Sequence, residues 1–246
     1  MDDDSLDFLQ FNLENQQLRA SNKKLSEQAL ALQIELDKYK YGYSFSWCGV
    51  PVIRLPDDII VFQELVWDLE PKTIVEVGVA RGGSVILSSS LLHLLGEGGR
   101  VFGLDIEIRN HNRRAIENHR LASNITLIEG DSTSQYVIEK LKNELGHHLI
   151  DILVLDSNHT HEHVYKELSA YKSFIRVGGY IVLPDTVIES FPKGYYSKSR
   201  PWDVGDNPMT ALLQFLIENP NFSIDEARST KAAITESPKG YVVRVS

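Results

Sequence analysis

Two aspartates carry the strongest chemical signal in this chain. Asp156 opens Asp156-Ser157-Asn158-His159-Thr160, and Asp185 sits in Pro184-Asp185-Thr186. Each follows a short apolar run, Ile150–Leu155 and Tyr180–Leu183, of the kind that forms a buried strand. If these are neighbouring strands of one sheet, their ends bring both carboxylates into one cleft, with Asn158 close by. Two carboxylates and oxygen donors suit a hard cation such as Mg²⁺. A cation there would hold an acceptor hydroxyl and lower its pKa. The structural alternative has Asp156 capping the next helix and Asp185 capping a turn. His159 stands nearest the acids, as a general base or as a hydrogen-bonded structural residue. Zinc is disfavoured, because His161 points away from the helix face shared by His159 and His163 and no H-E-x-x-H order exists. The pair His147-His148 reads as loop.

A second group is Glu76-Val77-Gly78-Val79-Ala80-Arg81-Gly82-Gly83-Ser84, at the end of the apolar run Thr73–Val77. Glycines at 78, 82 and 83 let the backbone turn tightly and approach a ligand, while the following helix offers free N–H groups. A dinucleotide fingerprint would place glycine where Glu76 stands, and a carboxylate is unwelcome beside a pyrophosphate. A ligand with a cationic centre and a carboxylate fits better, Glu76 facing the cation and the helix start facing the anion. S-adenosylmethionine has that pattern, although a tight strand-to-helix turn needs no ligand at all. Asp105 ends Arg100–Asp105, either accepting from ribose hydroxyls or capping the next helix. Gly130-Asp131-Ser132 follows Ile125–Glu129, and Asp131 and Ser132 either reach an adenine edge or cap a helix near Thr133. Three such groups in order on three successive strands point to a nucleoside cofactor.

These groups need a sheet to position them. The apolar runs alternate with helical stretches beginning near Gly83, Asn110, Thr133 and His161, which predicts an α/β fold with a doubly wound, mostly parallel sheet. A helix follows over Pro208–Glu218, with Phe222–Glu226 and Tyr241–Val245 as closing strands. The stretch Thr186–Trp202 is too long for a simple connector and reads as a lid. Phe191, Tyr195, Tyr196 and Trp202 in it either stack on a sugar ring or pack as an ordinary loop. The composition agrees with a globular protein: of 246 residues, 42% are apolar and 24% charged. A net charge of −9 argues against nucleic acid or anionic lipid as a partner. A single cysteine, Cys48, allows no internal disulfide. No apolar run approaches the roughly 20 residues of a membrane span, and the acidic Met1-Asp2-Asp3-Asp4 is unlike a secretory signal. The expected location is the cytoplasm.

Residues 1–40 are set apart, with no Gly and no Pro. Phe11, Leu18, Leu25, Leu32 and Tyr39 recur at seven-residue spacing, preceded by Phe8, Asn15, Asn22, Ala29 and Leu36. As d and a positions these predict a coiled-coil oligomerisation helix, with Glu14–Arg19 and Glu35–Lys40 as flanking pairs between partners. The alternative is a solvated helix packed on its own domain.

With these motifs in this order, the chain resembles the cephalosporin hydroxylase/rhamnosyl O-methyltransferase family from about Ser46 to Val245. The likeness rests on Trp47-Cys48-Gly49-Val50-Pro51, Pro56-Asp57, Gln63-Glu64, Glu76-x-Gly78 with Gly82-Gly83-Ser84, Asp156-Ser157-Asn158-His159-Thr160, Asp185-Thr186, Asn207-Pro208-x-x-Ala211 and Thr235-x-x-Pro238-x-Gly240-Tyr241. The resemblance implies a Rossmann-like class I methyltransferase domain over 41–246, with S-adenosylmethionine as donor. It further implies a donor site lined by Glu76, Gly78 and Ser84, and a Mg²⁺ at Asp156 and Asp185. The expected reaction is O-methylation of a hydroxyl on a sugar or small secondary metabolite. Two departures remove negative charge: Pro184 stands where the family usually has Glu, and Asn158 where it often has Asp. They leave room for an alternative, a non-catalytic accessory subunit that binds the donor for an oxygenase.

Overall fold

The computed structural model describes residues 3–96 and 98–246. Its centre is a seven-stranded sheet in the order β5-β4-β3-β6-β7-β9-β8. The strands are β3 (Thr73–Val77), β4 (Arg100–Asp105), β5 (Ile125–Glu129), β6 (Ile150–Leu155), β7 (Ile175–Val182), β8 (Phe222–Ile224) and β9 (Tyr241–Arg244). β3 to β7 run parallel, and β9 lies antiparallel between β7 and β8. β3 and β6 are buried along their whole length, which explains why both are apolar apart from Thr73, Glu76 and Asp151.

Helices cover both faces. α3 (Pro56–Leu69), α4 (Gly83–Leu95) and α5 (Asn110–Glu117) pack with Ile74, Val101, Ile152 and Val154 on one side. α6 (Gln135–Leu145), α7 (His161–Tyr171) and α8 (Pro208–Glu218) pack with Val75, Phe102, Leu153 and Ile181 on the other. Successive strands leave β3 in one direction to β5, and the chain then returns to the other side of β3 with β6. That reversal opens a crevice beyond the carboxyl ends of β3 and β6, the position where open α/β sheets bind ligands.

Strand and helix positions match the reading from sequence, with instructive differences. β7 starts at Ile175, five residues before the expected start, and its pairing with β6 is irregular where Gly178 takes φ +76°. α6 starts at Gln135 rather than Thr133, because Ser134 caps it through Val137 N–H. The sequence reading did not place α3 or the hairpin of β1 (Phe45–Trp47) and β2 (Val50–Val52), which pack against α4.

The N-terminal segment is not the single helix that the heptads predict. It forms α1 (Asp3–Ala20) and α2 (Lys23–Lys38), and Asn22, read as an a position, instead caps α2 by accepting from Leu25 N–H at 3.1 Å. Asn favours exactly such a cap over a helix interior. Gln16 and Arg19 bind backbone carbonyls of Ala227, Thr230 and Lys231, and buried Gln33 donates to the carbonyl of Thr235. Thus Arg19, expected across a partner from Glu14, is used within the chain. Phe11, Leu18, Leu25, Leu32 and Tyr39 all remain exposed. Among the described residues, no helix is long and apolar enough to cross a membrane.

Candidate active site

Two adjoining cavities fill the crevice, sharing Gly78, Ala80, Asp156 and Ser157 in their walls. The larger, about 470 Å³, lies between the glycine turn, the acids and the segment after β7. The smaller, about 390 Å³, extends over the ends of β4 and β5.

The glycine turn is fixed by close contact. Gly78 takes φ +101°, and a Cβ there would stand 1.9 Å from the carbonyl oxygen of Asp156. Only glycine lets the ends of β3 and β6 approach this closely. Ala80 is held at φ +45°, a strained value of the kind that clusters at functional sites. Asp105 stabilises this turn, its Oδ2 accepting from Val79 and Ala80 N–H at 2.9 and 3.0 Å. It does not cap α5, whose N-cap is Arg109. Asp105 therefore holds the floor of the smaller cavity and also lines it.

Glu76 is fully buried at the end of β3. Its Oε1 accepts from Ser84 Oγ on the first turn of α4, while its Oε2 has no hydrogen-bond partner among the described residues. Burial raises its proton affinity, opposed by Arg54 and by the Ser84 bond. An orphaned carboxylate oxygen beside a glycine turn and a helix start fits a ligand that brings its own cation, and so fits the aminoacyl end of S-adenosylmethionine. Gly82 caps α4 with φ +89° and lines the larger cavity with Gly83 and Ser84.

Asp131 and Ser132 both line the smaller cavity. Asp131 forms a local turn, its Oδ1 accepting from Thr133 N–H and Oγ1 at 2.8 Å, and those bonds hold it below the usual carboxylate range. Neither residue caps α6. Two wall residues were not foreseen: Ile106, whose exposed side chain offers an apolar surface, and His163.

The acids meet as expected. One ligand atom each from Asp156, His159 and Asp185 lies within 4.8 Å of the others. His159 sits between the carboxylates, Nδ1 at 3.0 Å from Asp185 Oδ2 and Nε2 at 3.7 Å from Asp156 Oδ1. Burial and the neighbouring Asp185 push Asp156 up to about 7. Burial opposes the charged form of His159, yet Asp185 and Asp156 outweigh it and push the imidazole up to about 9. Neither acid serves as a helix cap: Thr160 precedes α7, and Asp185, at φ +59°, makes no side-chain cap bond. Two carboxylates and an imidazole, gathered at the ends of the neighbouring strands β6 and β7, are a donor set for a divalent cation. His161 turns to α8, with Thr210 and Gln214 as partners, and so leaves the group. Asn158 accepts from Thr160 N–H and shapes the turn before α7.

The segment after β7 closes the larger cavity. Trp202 stacks on His159, with centroids 4.6 Å apart and planes 17° from parallel. Tyr196 lines the cavity, whereas Phe191 is buried against Tyr195 and Tyr196 and does not line it. Tyr195 donates to Asp37 Oδ2 at 2.9 Å, tying this segment to α2. Sequence reasoning also missed Asp37, Lys40, Tyr43 and Glu236 in the wall, because their approach is set by long-range packing. Arg54, 3% exposed, lies behind Glu76 and Asp156 as the fixed cation of the group.

A sheet of this order with a last antiparallel strand, and a crevice of this construction, define a class I methyltransferase fold. The profile of the Rhamnosyl O-methyltransferase/CmcI family matches residues 39–245, and the chain belongs to that family. A rhamnosyl O-methyltransferase of Mycobacterium tuberculosis (strain ATCC 25618 / H37Rv) is 25% identical over 205 residues, covering 81% of this chain and 78% of the relative. One from Mycobacterium leprae (strain TN) is 26% identical over 203 residues, covering 81% and 82%. Among solved structures, CmcI with Mg and SAM has a TM-score of 0.57 at 21% identity, covering 83% of this chain and 78% of that one. An O-methyltransferase from Bacillus cereus in complex with SAH has a TM-score of 0.54 at 17% identity, covering 94% and 97%.

Proposed function

We propose that this chain is an S-adenosylmethionine-dependent O-methyltransferase acting on a hydroxyl of a sugar or small metabolite, with assistance from a divalent cation. The observation that carries this reading is the juxtaposition of two unlike sites: orphaned Glu76 beside the glycine turn, and the Asp156–His159–Asp185 group across the shared wall at Gly78. The relatives named rhamnosyl O-methyltransferase, and CmcI with Mg and SAM, support it.

In the transfer, a bond forms between the acceptor oxygen and the methyl carbon while the carbon–sulfur bond breaks, its electron pair staying on sulfur. Alignment of the two reactants supplies much of the rate. Glu76 would hold the donor's ammonium, and the start of α4 would offer N–H groups to the donor's carboxylate. Asp105, Asp131 and Ser132 line the nucleoside end. Asp156 and Asp185 would hold the cation, which supplies a lowered pKa at the acceptor hydroxyl. His159 faces the larger cavity, and once a cation offsets the Asp156 and Asp185 charges that hold its proton, the neutral imidazole is placed to take the hydroxyl proton. Trp202 and Tyr196 give an acceptor ring flat surfaces to lie against.

A donor-binding accessory role is the second reading. One observation favours it: the His159 imidazole already bridges the two acids. Incubation with S-adenosylmethionine, Mg²⁺ and a panel of rhamnosyl glycosides separates the two. Formation of S-adenosylhomocysteine with an acceptor gaining one methyl group supports the transferase, whereas donor binding without product from any acceptor supports the accessory role.

We further propose that α1 and α2 join this chain to a second copy. The exposed row Phe11, Leu18, Leu25, Leu32 and Tyr39 supports that pairing.

A further inference from the structure

The inner face of α7 carries a polar group that the reaction scheme does not use. His163, Glu167 and Tyr171 follow one another at four-residue spacing and so share one side of the helix. Glu167 is fully buried. Its Oε1 accepts from Ser132 Oγ, from Ser157 Oγ at 2.7 Å, and lies 3.0 Å from His163 Nε2, while its Oε2 has no hydrogen-bond partner among the described residues. Tyr171 adds a bond from its hydroxyl to the carbonyl of Ser132 at 2.6 Å.

The three groups that Glu167 joins come from separate elements: Ser132 from the end of β5, Ser157 from the end of β6, and His163 from the first turn of α7. All three line the 390 Å³ cavity, and Glu167 itself does not. A fully buried carboxylate is costly, and a hydrophobic residue would serve the core equally well. What the carboxylate adds is a tie between two strand ends that are not neighbours in the sheet, since β3 and β4 lie between β5 and β6.

We propose that Glu167 is a positioning residue for the methyl donor: it fixes the spacing of Ser132, Ser157 and His163 and thereby the shape of the nucleoside subsite. It touches neither donor nor acceptor. This rests on assigning the smaller cavity to the donor's nucleoside.

The test compares Glu167→Met, which keeps the volume and removes the acceptors, with Glu167→Gln, which keeps one acceptor. Calorimetric titration with S-adenosylhomocysteine and with adenosine is paired with Mn²⁺ titration of the same proteins. Glu167→Met weakens both nucleoside ligands about tenfold or more, Glu167→Gln recovers most of that loss, and Mn²⁺ affinity stays as in the native chain. If Glu167→Met does not fold, the double variant Ser132→Ala/Ser157→Ala removes the same ties at the cavity wall and shows the same split. Unchanged nucleoside binding in a folded variant, or parallel loss of nucleoside and Mn²⁺ binding, overturns the proposal. Failure of the native chain to bind either nucleoside ligand would instead overturn the donor-site assignment beneath it.

Discussion

His159 Nδ1 lies 3.0 Å from Asp185 Oδ2, joining the turn after β6 to the turn after β7 across the mouth of the crevice. Neither residue is placed by its own helix or strand interior. Both depend on the parallel pairing of β6 with β7, which sets Val154 beside Val182. Trp202 closes over the imidazole from a third segment, so the group is assembled from parts of the chain that meet only in the finished fold.

His159→Gln is therefore expected to lower kcat by about 10²-fold or more, the usual scale of a positioned proton acceptor. Binding of adenosine should stay unchanged, because His159 does not line the smaller cavity. Steady-state kinetics beside calorimetry checks the split. Equal losses in both would place His159 in the donor site.

The glycine turn makes a sharper structural prediction. Gly78→Ala places a Cβ 1.9 Å from the Asp156 carbonyl at φ +101°, and should cost about 3 kcal/mol or more. Gly205→Ala also sits at positive φ, +90°, but its Cβ would meet nothing within 4 Å. That change should cost about 1 kcal/mol. Urea denaturation of the two variants measures the difference.

Stability should also report on His163. The hydrogen bond to Glu167, with the charges of Glu167 and Asp131, raises its pKa against burial and Lys166. A histidine raised in the fold lends stability that is fully present below its unfolded value of about 6.5 and is lost as pH rises through the folded value. The thermal midpoint should fall as pH rises above about 6.5, and the fall should be shallower in His163→Gln. Parallel curves for the two proteins would contradict the pairing.

The bond from Tyr195 to Asp37 couples the N-terminal helices to the segment over the larger cavity. Tyr195→Phe should speed proteolytic cleavage within residues 192–201 several-fold while leaving donor affinity unchanged. Equal cleavage rates would show that the aromatic contacts with Phe191 and Tyr196 hold the segment without this bond.

Much of the frame was legible because the strands are buried on both faces. Thr73–Val77 and Ile150–Leu155 read as mostly apolar runs, and Asp105, Asp156 and Asp185 stand where such runs stop. Crevice residues near a strand end, such as Gly78, Asp105 and Asp156, were legible for the same reason. The rest was set by contacts distant in sequence. Glu236 reaches the cavity because Asp58, at the start of α3, accepts from its N–H and from Thr235. Asp37 reaches it because α2 folds back on the domain. The break at Asn22 was hidden by a heptad pattern that continues across it, where local capping chemistry prevailed over the repeat.

The most direct test of the central claim is calorimetric titration of S-adenosylmethionine into chelator-treated protein, repeated with Mg²⁺ and with Asp185→Ala. The account predicts donor binding in all three, with a heat of Mg²⁺ binding in the native chain that disappears in Asp185→Ala. Absence of donor binding, or a Mg²⁺ response indifferent to Asp185, would contradict it.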